Sequence, residues 1–366
     1  MDQNNVKTLA IKPLTQLLFK PPSPFTAGIF GPAAIGTTLS YPYPSTISGL
    51  LASILYFQQY DTTTTSYECE DYRDVKELLE YTIIRPGFLK ISDKEDYNIY
   101  LNRDVFPKTT TLVEKIKQVI KKEQNGVNGK TLEDIHKEIT SLTETANGAI
   151  LAHRSRISGV ALNRSSKSVK TGYLYQLERI EYEPWNTQLT IYTKNLKLPD
   201  KKYYVKLGGK QGTAILEIQR TDKEMSPFIY YQEQNTMRWL GILISPALIR
   251  INEQSLQTLK EQLKYDTFIP NSKKLSKALG KLLLNETKPD IEASVIYVPK
   301  GESSLGIVNP GWCTARNIPR EPYLLIPSGT VLEIDGLDRK RVEDLAWQGL
   351  GASGKLGWGT TILIEI

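Results

Sequence analysis

Two stretches of this chain repeat one local plan, and the repetition narrows the folds open to it. "GGKQGTAILEI" (Gly208 to Ile218) and "SGKLGWGTTILIEI" (Ser353 to Ile366) each hold a glycine loop containing Gly-Lys, then a threonine, then a strand ending in Leu or Ile, Glu, Ile. Glycine reaches backbone conformations closed to other residues, so each loop can turn tightly against a sheet before the strand that follows. Two units of similar ending are the expectation. From Gly349 the second stretch also reads "GLGASG", which satisfies G-x-G-x-x-G. That pattern holds a dinucleotide only when a strand enters it, a helix leaves it and an acidic ribose ligand follows about 20 residues on. Here Val342, Leu345, Ala346 and Gly349 precede it at helical spacing and "TTILIEI" follows as a short β-branched run. The order is helix, loop, last strand, so the match to the nucleotide motif is accidental.

The rest of the chain fills in both units. "TLAIKPLTQLLF" opens as a strand, and "PYPSTISGLLASILYF" places Ile47, Leu50, Leu51, Ile54 and Leu55 on one helical face, with Ser45 expected as N-cap after Pro44. "YTIIRPGFLKIS", "YNIYLNRDVF", "TQLTIYT" and "KYYVKLGGKQGTAILEI" read as strands. Residues 108–145 read as charged helices around a glycine turn, a surface insertion. In the second half "RWLGILISPALI" is a strand, "SKKLSKALGKLLL" a helix, "ASVIYVPK" and "YLLIPSGTVLEI" strands, "DRKRVEDLAWQ" a helix capped by Asp338, and "TTILIEI" a strand. This βαββαβ order is that of a ferredoxin-like domain. The expected fold is α+β: two ferredoxin-like, RRM-like domains over residues 1–222 and 223–366, a helical insertion over 108–145, and a basic hairpin over 149–182. A length of 366 residues agrees with two cores rather than one.

Charge points to a partner. The net charge of +6 permits nucleic acid without demanding it, and its distribution says more. "HRSRISGVALNRSSKSVK" carries Arg154, Arg156, Arg164, Lys167 and Lys170 with no acidic residue, and strand alternation puts Arg154 and Arg156 on one face, opposite Ser155 and Ile157. Tyr173, Tyr175 and Tyr182 on the next strand could stack unpaired bases. The lysines of "NSKKLSKALGKLLL" instead read as the wet face of a helix whose Leu275, Leu279, Leu282 and Leu283 are buried. His153 is either a general base or a phosphate-binding or packing residue, with His136 as the one other histidine. Cys69 and Cys313 fit neither a disulfide framework nor a zinc pattern, and acidic residues show no metal-ligand spacing, so no cofactor or metal is expected. No basic and apolar leader opens the sequence and no run of about 18 apolar residues occurs, which leads us to expect a cytoplasmic protein without membrane contact.

Several stretches, in order, resemble one family. "IKPLTQLLFKPPSPFTAG" is similar to the Pro-Leu strand and Phe-Arg-Asp-Gly-Arg-Pro-Phe opening of the third Cmr subunit, a RAMP protein of type III-B CRISPR effector complexes. "YPYPSTISGLLASIL" resembles its Pro-x-Pro-Ser-Thr-x-x-Gly helix start. "RISGVALNRSSKSVKTGYLYQLERI" resembles its strand, basic loop and Gly-x-Leu-Tyr strand, and "LGGKQGTA" and "GWCTARNIPREPYLLIPSGTV" its glycine loop and late proline segments. The chain departs at Lys20 and Ser23 in "FKPPSPF" and at Ala52, where the family often has arginine. The resemblance implies a subunit, not regarded as the nuclease, that binds the five-prime handle of CRISPR RNA. It would dock on the large polymerase-like subunit, begin the filament of backbone RAMP subunits, and meet target RNA only indirectly. The residues it offers to RNA are Lys20, His153, Arg154, Arg156, Arg164, Lys167, Lys170, the loop Gly208, Gly209 and Lys210, and the loop Ser353, Gly354 and Lys355. The rival expectation is a RAMP endoribonuclease maturing CRISPR RNA with His153 as base.

Overall fold

The computed structural model describes residues 6–21, 35–59, 75–101, 104–124, 141, 149–163, 165–166, 168–209, 212–221, 227–232, 236–263, 273–285, 291–299, 306–308, 312–313, 318–319 and 321–366. The first half is built on a six-stranded sheet. Its strands are β1 (Val6–Pro13), β2 (Ile83–Ile91), β3 (Tyr97–Ile99), β6 (Thr187–Lys194), β7 (Lys202–Lys206) and β8 (Thr213–Arg220), in the order β3-β2-β6-β1-β8-β7 and antiparallel throughout. In β1 the alternation is direct: Leu9 and Ile11 are buried while Thr8, Ala10 and Lys12 keep partial exposure. The buried face meets α1 (Pro44–Gln59), whose Ile47, Leu51 and Leu55 share a core with Leu9, Ile11, Leu189 and Leu216. Ser45 does not cap this helix. Pro44 occupies the first helical position, where its missing N–H costs nothing, and the carbonyl of Tyr43 accepts from Thr46 N at 2.9 Å.

Between β3 and β6 the chain makes α2 (Thr109–Gln124) and a long hairpin of β4 (Ile150–Leu162) and β5 (Val169–Glu183). The helix was expected on a surface insertion, but Leu112, Val113 and Ile116 are buried in the core of the second half, and Lys117 Nζ donates to Tyr231 O at 3.1 Å. Its apolar face is wide enough to be drawn inward, which the high charge of its other face conceals in the sequence. Most of the rest of the insertion, His136 included, lies outside the described residues, as does Cys69.

The second half carries β9 (Arg238–Leu243), β10 (Ala247–Arg250), α3 (Glu253–Leu263), α4 (Lys273–Asn285), β11 (Glu292–Tyr297), β12 (Tyr323–Ile326), β13 (Val331–Asp335), α5 (Arg339–Gln348) and β14 (Thr361–Glu365). Its main sheet runs β14-β9-β13-β11, with the short strand Ile229–Tyr230 added in parallel to β14. In this order α3 and α4 lie on the connection from β9 to β11 and α5 on that from β13 to β14, each passing over one intervening strand, the arrangement a βαββαβ chain makes. The leucine face of α4 is buried and Lys277 and Lys281 stay exposed, and Asp338 accepts from Arg341 N at 2.7 Å as the cap of α5. Sequence reasoning missed α3. Its start is a reciprocal cap in which Asn252 Oδ1 accepts from Ser255 N at 2.8 Å and Ser255 Oγ accepts from Asn252 N at 2.9 Å, a variant of the Ser-x-x-Glu signal. "YLLIPSGTVLEI" is two strands, not one, because Pro327 to Thr330 turn the chain from a small side sheet into the main one.

The first half departs from the expected βαββαβ count. Its β8-β1-β6-β2 order is the ferredoxin-like one, but among the described residues no helix joins β6 to β8, and the edge strand β7 stands there instead. The two buried clusters also interlock across residue 222. Phe88 and Tyr192 pack edge-to-face on Phe228, at 5.0 and 5.3 Å between centroids, while Leu248, Ala352 and Trp358 join the core around α1.

Candidate nucleic-acid interface

The β4–β5 hairpin carries the basic stretch. Register sets Arg154 opposite Ile180 and Arg156 opposite Glu178, so both arginines share a face as expected. That face turns toward the body of the molecule. Arg154 donates to both carboxylate oxygens of Asp104 (2.8–3.1 Å), to Thr38 O at 2.7 Å and to Ser40 Oγ at 3.0 Å, and lies 3.5 Å from Glu178. Burial works to lower its pKa, but the bonds and charges of Asp104 and Glu178 outweigh this and raise it. Ser40 Oγ donates to Asp104, and Ser40 O accepts from Tyr182 OH at 2.7 Å. Arg154 is therefore a strut tying residues 38–40 to the hairpin. Its side chain is 24% exposed, against 60% for Arg156, which touches Glu178 at 3.4 Å. Only Arg156 of the two retains room for an outside phosphate. Lys170 lies on the outgoing strand, and Arg164 and Lys167, near the tip, fall outside the described residues. Tyr182 is buried in the core, where desolvation holds its phenol well above the usual range, so it cannot stack a base.

A four-residue segment brings distant pieces together. Leu17 pairs with Ile180 of the hairpin through bonds of 2.9 and 2.7 Å, and Leu18 O accepts from Gly209 N at 2.8 Å in the first glycine loop. Gly208, at φ +74°, lies so close to Leu18 O that a Cβ would sit 2.4 Å from it, which is why glycine is needed. Phe19 and Leu39 are hydrogen-bonded, fixing the two arms that flank residues 22–34. Exposed Lys20 thus emerges beside Gly208 and Gly209, and the hairpin base is on the other side of the same segment. Lys210 falls outside the described residues. A groove of about 400 Å³ opens next to the loop, between β7 and the Thr46, Leu50, Ser53 and Phe57 side of α1.

His153 faces away from Arg154 and Arg156, as alternation requires. Its Nε2 is 2.7 Å from Glu183 Oε2, with both side chains more than half exposed, and the cation sharing its face is Arg179, opposite Ser155. The arginines adjacent in sequence therefore cannot stabilise charge beside it. Among the described residues no three His, Cys, Asp or Glu side chains gather into a metal site, and no helix is long and apolar enough to cross a membrane.

The second glycine loop is spent inside the molecule. Arg85 of β2 is fully buried and donates to Ala346 O at 2.8 Å, Gly354 O at 2.7 Å and Trp347 O. It thereby satisfies the last carbonyls of α5, where a cation also complements the helix dipole. Burial pulls its pKa down to about 9, which leaves it charged at neutral pH. A Cβ at Gly354 would meet Gln348 O at 2.1 Å, and one at Gly357 would meet Pro86 of the first half at 2.8 Å. Gly354, expected to meet RNA, is buried, and its carbonyl accepts from Arg85. Ser353 and exposed Lys355 line a shallow cavity of about 390 Å³ with Arg250 and Glu80. The sequence named neither Arg85 nor the pair Asp104 and Glu178; the one signal for Glu178 is its register opposite the arginines.

No family profile and no curated relative matches the chain. Solved structures do. A chain of the type III-B Cmr-beta complex bound to cognate target RNA superposes with a TM-score of 0.53 at 17% identity, over 89% of this chain and 86% of that one. The same complex bound to target RNA and AMPPnP gives a TM-score of 0.52 at 16% identity with the same coverage. The protein shares, over nearly its whole length, the fold of a subunit of a type III-B Cmr complex.

Proposed function

We propose that this chain is a non-catalytic, RNA-binding subunit of a type III-B CRISPR effector. It holds the five-prime handle of CRISPR RNA and bridges the large subunit to the backbone RAMP filament. The observation that carries the reading is the agreement in fold, over 89% of this chain, with a chain of a target-RNA-bound Cmr complex, in a sequence whose ordered motifs resemble the third Cmr subunit. We read the molecule accordingly as two ferredoxin-like units, the first modified at its second crossover. The RNA path runs over Lys20, Gly208, Gly209 and Lys210, then along the hairpin by Arg156 to Lys170, Arg164 and Lys167. The exposed glycine loop, with no side chains at Gly208 and Gly209, lets phosphates come close to the backbone there, and the cations neutralise them.

The test is reconstitution of the full chain with the other subunits and handle-bearing RNA. Binding should fall with salt, and Arg156→Glu should weaken it and flatten the salt slope by about 0.7 for each phosphate that is no longer neutralised. Unchanged affinity and slope would remove the hairpin from the path. Failure of the chain to enter the complex would remove the function. The endoribonuclease reading keeps one observation, the exposed His153 paired with Glu183. Incubation with repeat RNA in excess chelator should give no cleavage; cleavage abolished by His153→Ala would establish that reading instead.

A further inference from the structure

The six-stranded sheet has a second face, opposite α1, and the second half of the molecule covers only part of it. Over β6 and β2 the cover is Phe228, packed on Tyr192 and Phe88 and backed by Trp347. Over β1, β8 and β7 the described residues leave the face partly open, with Lys12 and Ile215 half-buried. Register places Lys12 opposite Ile215 and Ile215 opposite Tyr204, so the three residues form one row across three strands, about 10 Å from end to end at the usual strand spacing. Tyr204 at its far end is 83% exposed. At the near end Lys12 Nζ lies 5.0 Å from the ring centroid of Trp185, which is 78% exposed.

Exposed rings matter here because they share one strip of surface with Ile215 between them. The Trp185 ring is also held in place. Its turn is closed by Thr187 N and Thr187 Oγ1, both donating to Pro184 O, and Asn186 O accepts from Ser92 N and Ser92 Oγ. Lys12 lies over the indole, most of whose surface stays exposed. In the neighbouring row Lys206 stands opposite Thr213, exposed, and the one acidic side chain on the adjoining row, Glu217, is engaged by Lys202 at 3.5 Å. Two exposed rings separated by a strip of small and apolar side chains and flanked by lysines match what an unpaired polynucleotide needs: faces for bases and cations for phosphates. A protein partner would need a drier, less basic centre.

We propose that this open face is a second single-stranded RNA platform, separate from the hairpin and glycine loop, on which Trp185 and Tyr204 each stack one base while Lys12 and Lys206 meet the intervening phosphates. The proposal rests on the reading of the chain as an RNA-binding subunit.

The test titrates the full chain with the handle-bearing RNA and with an unstructured octauridylate. It compares the parent with Trp185→Ala, Tyr204→Ala, the double variant, and Trp185→Phe with Tyr204→Phe. Because both rings are exposed, the variants should unfold at the parent temperature. Each alanine should weaken octauridylate binding about tenfold, in the range alanine substitution gives for base stacking, and the phenylalanine pair should restore it. Ultraviolet crosslinking followed by peptide mapping should place RNA on Trp185 and Tyr204. Parent binding with unchanged affinity in the alanine variants overturns the platform and leaves the subunit function standing. Absence of any RNA binding by the parent, alone and in the complex, overturns both. Parent-like RNA affinity with loss of another subunit from the double variant assigns the face to a protein and overturns the proposal.

Discussion

The two glycine loops read alike in the sequence and live in different environments. The first, between β7 and β8, sits at a sheet edge, touches the Leu17–Phe19 segment and leaves Gly208 and Gly209 exposed. The second, between α5 and β14, is wedged between the two halves with Arg85 through its centre. What they share is a geometric demand, a tight reversal before a last strand. What separates them is exposure: Leu18 touches the first loop from one side and leaves its glycines in solvent, whereas Arg85 enters the second from within. An exposed loop can be approached by a phosphate; one closed around a buried guanidinium serves the fold.

The largest effect that would break this contrast is at Arg85. Arg85→Leu strips the carbonyls of Ala346, Trp347 and Gly354 of their buried donor and should cost about 3–5 kcal/mol, read as a fall in the denaturation midpoint. A loss below about 1 kcal/mol would mean that the second loop is not held from the first half. Next is Gly354→Ala, whose Cβ would collide with the Gln348 backbone; it should destabilise by about 1–3 kcal/mol, with RNA affinity of the remaining folded protein unchanged. Gly209→Glu should do the reverse. Its nearest neighbour is the movable Leu18 side chain at 3.1 Å, so unfolding should shift by less than about 0.5 kcal/mol while the new charge repels RNA. The smallest effect is expected at Lys355→Glu, exposed beside the buried loop: RNA affinity within about twofold of the parent, since one distant surface charge is screened. A large drop in affinity there would return the second loop to the RNA path.

The arginine pair teaches the same lesson at shorter range. Alternation puts Arg154 and Arg156 on one face, and the structure agrees, but alternation says nothing about which face looks inward. Asp104, far away in sequence, decides it, and converts Arg154 from an RNA ligand into a strut. The helix Thr109–Gln124 fails for a related reason. Its charges suggest a surface segment, and only the neighbouring sheet shows that Leu112 and Ile116 have a core to enter. The first half's second crossover is legible in part: "KYYVK" reads as strand, and the strand Lys202–Lys206 does fill the span where a βαββαβ unit would place a helix.

What the sequence by itself determined was local. It specified the strands by alternation, α1, α4 and α5 by their apolar spacing, the Asp338 cap, and both glycine turns, because each depends on residues a few positions apart. The tertiary structure alone decided which glycine loop faces solvent, which arginine is open to a phosphate and which sheet face stays uncovered. Those outcomes depend on partners remote along the chain, Arg85 with Gly354 and Arg154 with Asp104, whose meeting is a property of the packed whole and leaves no pattern in either stretch alone.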